Sequence, residues 1–156
     1  MSSLLTKLQA LRQELNTILL ERETAIEAAL LALLTGEHLL LLGPPGTAKS
    51  LMVRSICERI DGAVYFERLL TRFSTPEEIF GQLSLSALEN DQYRRVTAGT
   101  LIDAHLGFID ECYKANSSIL NSLLGLMNER VCHVAGQARI IGRVNCPVVR
   151  TGCAKS

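Results

Sequence analysis

Residues 38–50, HLLLLGPPGTAKS, constrain this chain more than any other stretch. His38 to Leu42 is a continuous apolar run flanked by glycines, which predicts a strand buried on both faces of a parallel sheet. Leu51, Val53, Ile56, Cys57 and Ile60 then share one face of a helix that stops near Asp61-Gly62. The turn between them, Gly43-Pro44-Pro45-Gly46-Thr47-Ala48-Lys49-Ser50, follows the phosphate-loop pattern G-x-x-x-x-G-K-[ST], with Ala48 where glycine is usual. Small residues let successive backbone amides wrap an anion and the helix start adds its positive dipole. Lys49 is then placed to reach outer phosphates and Ser50 to hold Mg²⁺. Ala48 is free of penalty at negative φ and costs about 1–2 kcal/mol at positive φ. In both cases its amide survives.

A second element, LGFIDEC over residues 106–112, reads as a buried strand ending in two carboxylates. Beside a phosphate loop, Asp110 is placed to hold the magnesium shell and Glu111 to orient and deprotonate an attacking water. An N-K-x-D base-reading motif is absent, so adenine is favoured over guanine.

Strands alternating with helices predict an α/β domain with a parallel sheet and flanking helices, in the P-loop NTPase class. Leu4, Leu8, Leu11, Leu15, Ile18 and Leu19 recur at helical spacing, and Thr24-Ala-Ile-Glu27 matches a capping box for a second helix ending at Gly36. Ala63 to Leu70 predicts a further strand. Thr75-Pro76-Glu77-Glu78 predicts a capped helix start, and Asn116 and Ser117 precede a helix over 119–127. Tyr93–Val96 and Thr100–Ile102 suggest a hairpin across Ala98-Gly99.

The 156 residues suit one domain. A formal net charge of zero and only 4% aromatic residues give no sign of a nucleic-acid partner. No apolar run approaches the length of a membrane span, and no signal peptide is expected. Five cysteines without a C-x-x-C pair suggest free thiols in a reducing cytoplasm. His38, His105, His133 and Cys112 show no ligand-like spacing.

The chain resembles the MoxR-type AAA+ ATPases, and within them the RavA branch. The resemblance rests on LLGPPGTAKS, LLTRFSTPEEIFGQLS, YRRVTAGTL and FIDECYKANSSILNSLLGLMNER, and runs from about Leu20 to Arg130. It implies ATP hydrolysis with magnesium, a homo-hexameric ring, chaperone-like remodelling or maturation of other proteins, and a partner with a von Willebrand A domain. Lys49 and Ser50 match the family's phosphate and magnesium ligands, and Asp110 and Glu111 its acidic pair. Glu21 to Ile26 resembles the border of the adenine pocket, and residues 93–102 the insert that faces the ring's pore.

Beyond Arg130 the expected match fades. The organisation expected is N-terminal helices over 1–35, a partial core over 36–130 and an atypical basic, Cys-rich tail over 131–156. All 16 acidic residues lie at or before Glu129, whereas five of the 16 basic ones follow it. That imbalance suggests a foreign or frame-shifted end on a truncated chain. The family's sensor strand, arginine finger and helical lid are then missing, Asn145 and Arg150 being only loose stand-ins. The sensor strand belongs between the strand before the phosphate loop and the strand of Asp110. Its loss predicts a central gap, marginal stability and aggregation, with Pro147 making VNCPVVRT a poor replacement. Loss of an arginine finger alone lowers rate by about 10³–10⁵. An ATP-binding module without turnover, or an interaction fragment docking through residues 3–20, are therefore the alternatives to an active ATPase.

Overall fold

A computed structural model describes residues 2–44, 46–92, 94–129, 131–134, 137–140 and 148–152. In chain order its elements are α1 (Ser2–Ile18), α2 (Glu23–Thr35), β1 (Leu39–Leu42), α3 (Lys49–Glu58), β2 (Tyr65–Leu69), α4 (Pro76–Phe80) and α5 (Leu85–Leu88). There follow β3 (Leu106–Asp110), a 3-10 turn (Cys112–Lys114), α6 (Ser117–Glu129), β4 (Val131–Val134), β5 (Gln137–Ile140) and β6 (Val148–Gly152). Four strands form a parallel sheet in the order β1-β6-β3-β2, and β4 pairs with β5 as a separate antiparallel ribbon.

β6 corrects the expected central gap. Its Val149 lies opposite Leu39 on one side and Phe108 on the other, and Arg150 opposite Leu40 and Ile109. The segment after Arg130 thus supplies a central strand, and the ground for predicting a broken sheet disappears. Pro147 and Asn145 lie outside the described residues.

Alternation along the strands sends side chains to two cores. Leu106 and Phe108 of β3 join Leu39, Leu41 and Tyr65 beneath α1, α2 and α3, where Leu15, Ile26, Val53 and Ile56 are buried. Ile109 and Phe66 point the other way, onto Ile79, Phe80, Ile119 and Leu123 of α4 and α6. A strand covered on both faces has to be apolar throughout, which explains the β3 run. β1 departs from that expectation. Leu40 and Leu42 are 54% and 64% exposed, because among the described residues α4 and α6 cover only the β2–β3 side.

α1 packs on the body of the chain through one face, while Leu5 and Ile18 stay exposed. Leu15 and Leu19 are buried, Glu14 pairs with Arg59 at 2.8 Å, and Arg12 pairs with Glu27 at 3.0 Å. α2 begins one residue before the expected cap, with Arg22 at the N-cap, after Glu21 turns the chain at φ 58°. The earlier start places the Glu23 carboxylate in the first turn, beside the positive helix end.

The expected hairpin is replaced by a local closure. Tyr93 lies outside the described residues, but Arg95 bridges Leu83, the Ser84 amide donates to Arg94 at 2.7 Å, and the Val96 amide donates to Gln82 at 2.8 Å. Thr97 to Thr100 forms a turn held by the Thr100 hydroxyl on the Thr97 carbonyl at 2.7 Å. The partner of 94–96 is therefore the chain just before α5, not the chain just after Gly99.

Candidate functional site

The phosphate loop joins the C-terminal end of β1 to the start of α3. Its form follows from two left-handed residues, Gly46 at φ 78° and Ala48 at φ 55°, ψ 27°. Of the two outcomes open for Ala48, the strained one is observed, and alanine occupies the N-cap of α3. The first-turn amides of that helix lack intrahelical partners, so they and the dipole face the loop.

Lys49 folds back over the loop. Its Nζ donates to the Pro44 carbonyl at 2.7 Å, the Gly43 carbonyl at 3.1 Å and Thr47 Oγ1 at 3.0 Å. The Thr47 hydroxyl in turn donates to the Pro44 carbonyl at 3.0 Å. Ser50 sits beside Lys49 in the first turn of α3, half-buried. Pro45 lies outside the described residues. The set offers an ammonium, a hydroxyl and a helix start to an anion, the donor chemistry that a triphosphate requires.

Asp110 ends β3 opposite Leu69 and accepts the Glu111 amide on Oδ1 at 2.9 Å. Because β1, β6 and β3 run parallel and in register, Asp110 lies one residue beyond the Ile109–Arg150–Leu40 row, level with the last residues of β1. The acidic pair and the phosphate loop therefore leave the same edge of the sheet, two strand spacings or about 10 Å apart, with β6 between them. Carboxyl ends of parallel strands are where open α/β sheets bind ligands.

Glu111 adopts φ 50°, ψ 39°, and its Oε2 pairs with Lys114 Nζ at 2.5 Å. This partner was not singled out from sequence, although a cation three residues after an acid is a recognisable signal. Asn116 Oδ1 accepts the Ile119 amide at 3.0 Å as the cap of α6, and its Nδ2 donates to the Ser74 carbonyl at 2.9 Å, tying the helix after the acids to the loop after β2. Of the expected adenine border, Glu21 is exposed while Ile26 is fully buried in the core. Arg150 belongs to β6.

Among the described residues no group of three or more His, Cys, Asp or Glu side chains is arranged as a metal cluster. Cys57 and Cys112 are free thiols, and burial followed by the charge of Glu58 raises the pKa of Cys57, leaving it a poor nucleophile. No described helix is long and apolar enough to cross a membrane.

Comparison with known proteins bears on family and fold. Residues 6–149 match the family described as the MoxR domain in the MoxR-vWA-beta-propeller ternary systems, well past the expected limit at Arg130. Two uncharacterized proteins of Methanocaldococcus jannaschii, MJ0079 and MJ0812, are 49% and 50% identical over 134 and 127 residues, or 85% and 81% of this chain. A structural protein of Acidianus two-tailed virus, ORF618, is 30% identical over 139 residues, 86% of this chain and 22% of its own length. The chain spans about a third of the length of the two archaeal relatives, 35% and 34%. Among solved structures, a candidate ATPase of Cytophaga hutchinsonii superposes with a TM-score of 0.74 at 19% identity, over 94% of this chain and 43% of that one. NtrX of Brucella abortus superposes at 0.62 with 16% identity, over 86% of this chain and 30% of that one. These two likenesses concern the fold. The chain belongs to the MoxR family, and its parallel sheet with flanking helices has the fold of an AAA+ ATPase-like module.

Proposed function

We propose that this module binds ATP with Mg²⁺ and hydrolyses it. The observation that supports this most is the common edge from which the Gly43–Ser50 loop and the Asp110–Glu111 pair emerge, in a chain that matches the MoxR family along 6–149. The loop amides and Lys49 bind the phosphates, with Lys49 exchanging its contacts on Gly43 and Pro44 for phosphate oxygens. Ser50 and Asp110 would hold the metal, directly or through water; Mg²⁺ takes few protein ligands beside phosphates and water. When bound, the metal would neutralise charge that develops on the transferred phosphate. Glu111 accepts a proton from water as its oxygen bonds to the γ-phosphorus and the bond to the bridging oxygen breaks, giving ADP and phosphate.

The proposal extends to the assembly. A homo-hexameric ring, a von Willebrand A domain partner, and chaperone-like remodelling or maturation of client proteins in the cytoplasm fit the MoxR match. A position near the RavA branch is proposed on the same four motifs as the family resemblance, LLGPPGTAKS, LLTRFSTPEEIFGQLS, YRRVTAGTL and FIDECYKANSSILNSLLGLMNER. Residues 93–102 are the segment proposed to face the pore; residues 94–96 close on 82–84, just before the 78% exposed Leu85 of α5.

Calorimetric titration with Mg-ATP tests the binding half. Heat of binding that disappears in Lys49→Ala is expected, and no heat from the parent chain under conditions sensitive to micromolar affinity overturns it. Phosphate release that Glu111→Gln abolishes is expected of an ATPase. Binding without any release favours the module without turnover.

A further inference from the structure

Glu111 is held in an uncommon shape. A non-glycine residue keeps a left-handed backbone only where its surroundings impose it. Here the Glu111 amide donates to Asp110 Oδ1 at 2.9 Å, while its carbonyl accepts the Lys114 amide at 2.8 Å. Its carboxylate oxygen Oε2 meets Lys114 Nζ at 2.5 Å. Lys114 thus grips the same residue at the backbone and at the side chain, across the 3-10 turn Cys112–Lys114.

A carboxylate oxygen engaged by an ammonium is committed to the turn and has to give up that contact before it can accept a proton from water. We propose that Lys114 is a positioning residue that parks Glu111, and that the pair opens before Glu111 can take a proton. This rests on the reading of Glu111 as the general base. Lys114 Nζ has a second resting place, since it lies 5.9 Å from the centroid of the Tyr113 ring and can keep a cation–π contact after letting go. The pair is only half-buried, with side chains 49% and 30% exposed, so parking biases the equilibrium without locking it.

The test is steady-state ATP turnover and Mg-ATP titration for the parent chain, K114Q, K114R and E111Q. Expected are a two- to threefold rise in kcat for K114Q with unchanged KM, and recovery of the parental rate in K114R, which keeps the cation. That rise corresponds to about 0.5 kcal/mol at 1.36 kcal/mol per tenfold. An unchanged or lower kcat in K114Q overturns the proposal. If E111Q keeps parental turnover, the general-base reading falls instead; if E111Q is inactive while K114Q equals the parent, only the role of Lys114 falls. Should the parent show no turnover, a double-mutant cycle of K114Q and E111Q in thermal unfolding decides the matter. A coupling present without nucleotide and lost with Mg-ATP supports parking; a coupling that is absent, or that Mg-ATP leaves unchanged, overturns it.

Discussion

A β-carbon added to Gly81 would overlap the carbonyl oxygen of Val96 and lie 3.0 Å from its carbonyl carbon. The backbone there, at φ 90° and ψ 153°, is one that only glycine adopts readily. Arg95 Nη1 also donates to the Gly81 carbonyl at 2.6 Å, so displacement of Gly81 loosens the closure of residues 82–96. Gly81→Ala is expected to lower stability by about 2–4 kcal/mol, combining backbone strain with the clash. Urea unfolding measures the loss, and limited proteolysis should cut first within 82–96. A variant as stable as the parent would refute this packing.

Ala48 is the opposite case. At φ 55° its β-carbon carries a penalty of about 1–2 kcal/mol, partly offset by the entropy that glycine would lose on folding. Ala48→Gly is expected to gain roughly 0.5–1 kcal/mol in thermal or urea unfolding. Mg-ATP affinity should stay within about twofold, since the amide is retained and a factor of two is under 0.5 kcal/mol. Lower stability in the glycine variant would count against the left-handed geometry.

Val149 sits between Leu39 and Phe108 in the centre of the sheet. Proline at that position deletes a ladder donor and cannot be housed in a central strand. Val149→Pro should cost about 3 kcal/mol or more and broaden or abolish the cooperative transition in circular dichroism. Identical melting curves would remove β6 from the sheet.

Tyr65 provides a pH test. Burial first, and then Glu67, whose Oε2 accepts the phenol proton at 3.1 Å, push its pKa well above the usual phenol range. The folded chain therefore keeps a proton that the unfolded chain releases near pH 10. The contribution to stability is complete below about pH 10 and declines as pH rises towards the folded value. Between pH 9 and 11 the parent chain should lose more stability than Tyr65→Phe, as followed by urea unfolding at each pH. Parallel declines would mean that Tyr65 ionises normally.

What could be read in advance depended on whether a signal was local. The β3 run was legible because both of its faces are covered, and a strand so enclosed is apolar residue by residue. The starts of α4 at Thr75-Pro76 and of α6 at Asn116 were legible because caps act within one turn. The edge location of Asp110 and Glu111 followed from their place at the end of β3. The exposure of Leu40 and Leu42 was not legible, since nothing in four leucines says which helices cover them. Nor was β6, because a parallel central strand is chosen by two distant neighbours and leaves no periodic mark of its own. The sign of φ at Ala48 was left open by residue type and decided by the turn between Gly46 and α3.

The position of β6 also governs how the molecule comes together in time. β1 and β6 meet across about 110 residues, and β3 reaches β1 only through β6. Closing so long a span carries an entropic cost before any ladder bond compensates it, and parallel pairings of this separation make for slow folding. Until β6 inserts, the phosphate loop and the acidic pair have no fixed distance between them. Completion of the sheet is thus also what brings the two strand ends to their final spacing, and a chain caught before it holds the loop and the acids with nothing to set that distance.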